Sequence, residues 1–379
     1  MQNTNNEHWQ FATPKEDHVS RFVDLKIVPP SIPSYVMEYA PLVHLYSAEN
    51  YWPCDIGEHL NHIKPELNFT AIQSDASRPR LDNLDELNQW EQGRHVYLTS
   101  RDNVEDRPEW LMGRENAPNM KPSSNSSPLA AEGTGQLGHS KAPATLVVVE
   151  KAHGVVDAFW FFFYSYNLGN EVFLRFGNHV GDWEHTVVRF QHGRAKAVFV
   201  SEHYFGQAYT YRAVEKRGKR PVIYSARGTH AMYATSGTHA YVLPFGLLHD
   251  ETDKGPLWDP ILNLRTYTYE PKKDVIQPSN YSPRAPVGWF NFAGHWGDKQ
   301  YPVEDPRQYI FADNYHYVSG PLGPKFKHLN RRKICQGNDS EPCVIKNWLG
   351  KSGMRPAQAS PLTEELDLES QRLEGDNMR

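Results

Sequence analysis

A chain of 379 residues with 39% apolar and 12% aromatic side chains can build an extensive core, while a mean hydropathy of -0.67 confines that core to part of its length. The net charge of -5 and a pI near 6.4 offer no basic face for duplex nucleic acid, so none is expected as a partner. No apolar run reaches the roughly 18 residues of a membrane-spanning helix, so no transmembrane segment is expected.

Residues 1–34 read as a polar N-terminal arm ending in a proline-rich stretch. The arm lacks the apolar centre of a signal peptide, which predicts a cytoplasmic chain. Residues 39–46 have the aromatic and β-branched character of a strand. Short helical patterns follow at 56–64 and 81–92, with Asp85 placed to cap the second and Leu87 and Trp90 on one face. Residues 101–144 are dominated by Asn, Pro, Ser and Gly, and are predicted to be a disordered insertion.

The main body begins at Thr145. Strands are predicted at 145–150, 155–166, 183–190, 197–202, 221–225, 239–243, 265–269 and 287–292, separated by Gly, Pro, Asn and Asp. Helical periodicity is scarce. The pattern predicts a mainly β protein: an antiparallel β-sandwich or jelly-roll-like core with few short helices and long disordered segments. The expected organisation is one β-rich domain over 35–349, interrupted at 101–144, and an acidic disordered tail over 350–379.

Cys335 and Cys343 flank a turn-like segment that a small disulfide could close. Sequons stand at Asn68, Asn125, Asn280 and Asn338. Both features point toward the secretory pathway, as an alternative to a cytoplasmic chain with reduced thiols.

The segment GNHVGDWEH at 177–185 packs two histidines, two carboxylates and a tryptophan into nine residues. Burying such a set is costly unless its members are paired, metal-bound or catalytic. On a strand Asp182 and Glu184 share one face, with Cα atoms about 6.5–7 Å apart, while Trp183 and His185 point the other way. A second cluster is SARGTHA at 225–231, which projects His230 from a strand end. A third is FAGHWGDK at 292–299, holding His295 beside Trp296.

Two readings stand side by side. In the chemical one, Glu184 is a base, Asp182 an orienting or ligating group and His230 a proton shuttle. His179, Asp182 and His185 are then candidate ligands for a divalent metal ion, and Trp183, Trp296 and His295 line a ligand pocket. In the bland one, Asp182 caps a turn, Glu184 pairs with Arg189 or Arg227, and the histidines are satisfied core groups. A fourth cluster, LHDETDK at 248–254, lacks the pattern of a calcium loop and is predicted to be a solvated acidic turn. The chain has no Gly-x-Ser-x-Gly elbow, phosphate-binding glycine loop, His-Glu-x-x-His helix or paired Cys-x-x-Cys.

These motifs resemble those of the vacuolar protein sorting-associated protein 62 family, as a fungal member related to plant proteins of unknown function. The most specific match is HVGDWEH at 179–185, supported by YAPLV at 39–43, VDAFW at 156–160, VIYS at 222–225 and HWG at 295–297. The resemblance implies a role in protein delivery to the vacuole, with protein cargo or a small ligand as partner, and no defined reaction. A hydrolase-like enzyme with a His/Asp/Glu site is the alternative.

Overall fold

The structure is a computed structural model that describes residues 29–72, 78–119, 138–171, 173–203, 205–240, 248–337 and 340–349. The strands are β1 (Leu42–His44), β2 (Ile63–Leu67), β3 (Thr70–Ala71), β4 (Val96–Ser100), β5 (Ala144–Glu150), β6 (Val155–Asn167), β7 (His179–Gln191), β8 (Arg194–Glu202), β9 (Phe205–Thr210) and β10 (Lys216–Arg217). They continue as β11 (Arg220–Ser225), β12 (Met232–Tyr233), β13 (Gly237–Ala240), β14 (His249–Thr252), β15 (Leu257–Trp258), β16 (Leu264–Glu270), β17 (Val275–Pro278), β18 (Ile310–Phe311), β19 (Asn314–Tyr315) and β20 (Ile345–Lys346). Helices are few and short: α1 (Ser34–Glu38), α2 (Ile56–His59), α3 (Glu109–Met112) and α4 (Gly288–Asn291). The protein is mainly β, as its composition predicts.

One sheet dominates, in the order β17-β16-β5-β6-β7-β8-β9-β20. Its centre, β5 to β9, is antiparallel throughout, whereas β16 joins β5 and β20 joins β9 in parallel. The long strands β6 and β7 pair along nearly their whole length, and both faces of this pair are buried. That explains why β6 reads as a continuous aromatic run and not as an alternation.

Each face has its own core. On one, Val148, Trp160, Phe162, Val188 and Val198 pack with Val43, Ile223 and Trp258 of the sheet β10-β11-β1-β15. On the other, Phe159, Phe161, Phe163, Trp183 and Phe199 meet Ile63 and Leu98 of the sheet β3-β2-β4, together with Trp289 and Trp296. Burial of each such large side chain stabilises the fold by roughly 1.5–3 kcal/mol.

Several elements differ from their predicted form. Residues 287–292, predicted as a strand, contain helix α4, with Gly288, Trp289 and Phe290 all buried. A short apolar run with every residue buried carries no period that separates a helical turn from a strand. The 81–92 segment forms 3-10 turns, where Asn83 takes the N-cap position without a side-chain cap bond. Of the 101–144 stretch, 101–119 and 138–144 are folded, with Val104 and Leu111 fully buried. The remainder, 120–137, lies outside the described residues, as do the arm over 1–28 and the tail over 350–379. Cys335 and Cys343 are joined in a disulfide.

Candidate functional site

The pleat of β7 divides the 177–185 motif between the two cores. Asp182 and Glu184 face the same side as Tyr164 and Phe162, their cross-strand neighbours on β6. Trp183 and His185 face the other. Trp183 is buried and meets the Trp296 ring edge-on at 5.3 Å. His185 is fully buried among Phe159, Phe161 and Phe199, and neither ring nitrogen finds a hydrogen-bond partner among the described residues. Desolvation holds its pKa well below the usual imidazole range.

On the first face, His230 Nδ1 lies 2.9 Å from Asp182 Oδ2 and its Nε2 lies 3.1 Å from the Tyr51 carbonyl. The ring stacks on Tyr164 with centroids 3.7 Å apart and planes 5° from parallel. Both neighbours of this imidazole, a carboxylate oxygen and a carbonyl oxygen, are acceptors. The β11–β12 turn sets this geometry. Gly228 and His230 both take left-handed backbone, at φ of 71° and 57°. A side chain at 228 would meet the Leu168 carbonyl at 2.9 Å. Glu49 clasps the turn, accepting from Gly228 N at 2.9 Å and from Asn50 N and Tyr51 N at 2.8 and 2.9 Å.

Glu184 lies beside this pair and accepts a short hydrogen bond from the Ser201 hydroxyl. Burial, reinforced by the nearby Asp182 charge, pushes its carboxyl well above the ordinary range. His179 binds the Gly181 carbonyl through Nδ1 at 2.7 Å, and burial lowers its imidazole despite the attraction of Asp182.

Asp250 anchors the next layer, although its segment reads as a solvated acidic turn. It takes hydrogen bonds from Thr229 at 2.8 Å, Tyr233 at 2.7 Å, Asn170 at 3.1 Å and His203 at 2.7 Å. Burial pushes its pKa up, and these donors outweigh that effect and hold it below the usual value. The inward alternation of Asp250 and Thr252 on β14 was the available signal. Ser201, Glu49 and Tyr51 carry no sequence signal of their role, because it arises only when distant loops meet.

A cavity of about 260 Å³ opens beyond Asp250, lined by Asn170, Glu171, Arg175, Arg227, His249 and Glu251 among others. The sequence-predicted residues therefore separate into two sets. Asp182, Glu184 and His230 come together on one face, and His179 lies close enough to feel the charge of Asp182. Trp183, His185 and Trp296 belong to the opposite core. His295 stacks on Tyr97 of β4 at 4.4 Å and binds the Gly320 carbonyl at 2.6 Å. Among the described residues no group of three or more His, Cys, Asp or Glu is placed to hold a metal ion. For the set His179, Asp182 and His185 the pleat supplies the reason, since His185 leaves the face that carries Asp182.

Two motif glycines lock the site to the opposite layer. A Cβ on Gly181 would lie 2.1 Å from the Trp296 carbonyl oxygen, and one on Gly297 would lie 1.8 Å from that of Val180. The glycines of HVGDWEH and HWG thus serve one close backbone crossing.

Asp182, Glu184 and His230 are all buried, and each is hydrogen-bonded within the sheet or its turns. Residues 164–302 match the family described as vacuolar protein sorting-associated protein 62. In Saccharomyces cerevisiae, TDA6, provisionally named a vacuolar protein sorting-associated protein, is 41% identical over 92% of this chain and 77% of its own length. Vacuolar protein sorting-associated protein 62 of the same yeast is 36% identical over 92% of this chain and 75% of its length. The chain belongs to the vacuolar protein sorting-associated protein 62 family. Among solved structures, Necrosis and Ethylene inducing Protein 2 from the agent of cocoa's Witches Broom disease aligns at 14% identity over 55% of this chain and 70% of that one. Its TM-score of 0.26 is too low to carry any inference about this chain.

Proposed function

We propose that this protein acts in protein delivery to the vacuole as a non-catalytic binding protein, working in the secretory or vacuolar compartment. The observation that carries the reading is the occupancy of His230. Both its nitrogens are spent on Asp182 and the Tyr51 carbonyl, and one ring face is covered by Tyr164. A proton shuttle needs a nitrogen free to exchange with substrate. His179 and His295 each bind a backbone carbonyl through Nδ1, and Glu184 accepts from Ser201. The Cys335–Cys343 disulfide favours an oxidising compartment. The hydrolase alternative gains no support from this arrangement.

The experiment is complementation. Saccharomyces cerevisiae lacking both relatives would express this chain, and the fraction of a soluble vacuolar protein lost to the medium would be measured. Restored retention by the chain, equally by Glu184→Gln, supports the reading. Failure of the folded chain to restore retention, or restoration abolished by Glu184→Gln alone, overturns it.

A further inference from the structure

The sheet end that carries the His230 cluster also exposes large apolar side chains on three separate turns. The turn between β6 and β7 presents Phe173, 90% exposed, followed by Leu174. The β8–β9 hairpin presents Phe205, 75% exposed, and the β18–β19 hairpin presents Phe311, 61% exposed, with Ile310 beside it. The contacts place all three at one end. Tyr309 hydrogen-bonds the backbone of Arg175 at 2.7 Å and 3.1 Å, and Phe311 stacks on Phe176 at 6.5 Å. His203, at the tip of the β8–β9 hairpin, shares Asp250 with Asn170 of the first turn.

Single exposed apolar side chains are ordinary, but three large ones grouped on neighbouring turns mark an interaction surface. The first of these turns also supplies Asn170, Glu171 and Arg175 to the 260 Å³ cavity, where Arg175 is paired with Glu171 and Arg227 stands with Glu251. We propose that this end of the protein docks on a zwitterionic phospholipid bilayer. The phenylalanines would enter the interface, and the cavity would receive a phosphocholine-like headgroup. The occupant follows from the chemistry. Arg227 offers a guanidinium to a phosphate and Glu251 a carboxylate to an ammonium, which matches a headgroup bearing one of each. An anionic leaflet is disfavoured by a chain of net charge -5. Apolar groups carried on separate tips with polar groups between them suit a lipid interface, where a protein partner would bury one contiguous apolar centre. The docking surface stands independently of the sorting role.

The test is co-sedimentation of the full chain with phosphatidylcholine vesicles. The protein is expected to pellet with lipid, and Phe173→Asp, Phe205→Asp and Phe311→Asp each to weaken binding at least about tenfold. Val275→Asp is the matched control, since Val275 is 39% exposed at the turn joining β16 to β17, the opposite end of the sheet. It is expected to leave binding unchanged, and thermal melts of all four variants to match the parent. Three results would overturn the proposal: no binding to phosphatidylcholine, binding confined to phosphatidylserine vesicles and lost in salt, or an equal loss in Val275→Asp. A fourth would assign the surface to a second copy: lipid-free, concentration-dependent self-association abolished by the same three substitutions.

Discussion

Gly181 and Gly297 occupy opposite sides of one backbone crossing, each facing the carbonyl that precedes the other glycine. Any side chain at 297 drives a Cβ to within 1.8 Å of the Val180 oxygen, and at 181 the backbone is also left-handed, with φ of 67°. Gly181→Ala and Gly297→Ala are each expected to lower stability by more than about 3 kcal/mol, because the obstacle is backbone and cannot rotate away. Urea unfolding measures this. A loss below about 1 kcal/mol for both would show that the crossing is looser than described.

Asp182 and His230 are coupled through a bond whose partners are both buried. Removing one leaves the other desolvated, so Asp182→Ala should cost about 3 kcal/mol, with a comparable loss for His230→Ala. The double variant should lose much less than the two together, with a coupling of at least about 1 kcal/mol. Strict additivity in a double-mutant cycle would contradict the pairing.

Acid should unfold the protein partly through its buried imidazoles. Desolvation pushes His59 down to about 3, and His185 is held well below its ordinary value. In the unfolded chain both titrate near pH 6.5, so between that pH and the folded value the unfolded state binds more protons. The His59 contribution is complete above about pH 6.5 and is lost as pH falls toward 3, by about 1.4 kcal/mol per pH unit, and that of His185 is lost in the same direction. His59→Gln should flatten the slope of unfolding free energy against pH between about 6 and 4. An unchanged slope would remove His59 from the explanation.

Glu202 works in the opposite direction. Burial lifts its carboxyl to about 7, with Gln207 and Lys346 only partly offsetting the rise. The folded state then holds the proton that the unfolded state releases above about pH 4.5, so stability is lost as pH rises from there to 7. Glu202→Gln should be more stable than the parent at about pH 8, by up to about 3 kcal/mol, and close to it below about pH 4. Calorimetry at the two pH values reads the difference, and a variant less stable at pH 8 would reverse the argument.

The strands were legible where aromatic and β-branched residues run between turn formers, as in β5 to β8. The face that carries Asp182 and Glu184 was legible because alternation on a strand is a local property. The turn-bound partners were not. Tyr51 meets His230 through a backbone carbonyl, which any residue would supply, and Glu49 matters only because Gly228 arrives from 179 residues away. Trp296 packs in a core cluster, and a tryptophan beside a histidine looks the same in sequence whether it lines a cavity or fills a core. The pleat and the long-range crossing decide between them, and neither is written in a window of a dozen residues.

The outer strands of the large sheet are its two shortest, β17 ending in Pro278 and β20 only two residues long and bearing Lys346. The segment that delivers β20 to β9 is tied by the Cys335–Cys343 bridge. Reducing that bridge would loosen the seal and bare the hydrogen-bonding groups of β9, a template on which further chains can add. The Cys335–Cys343 bond thus helps keep the β9 edge covered.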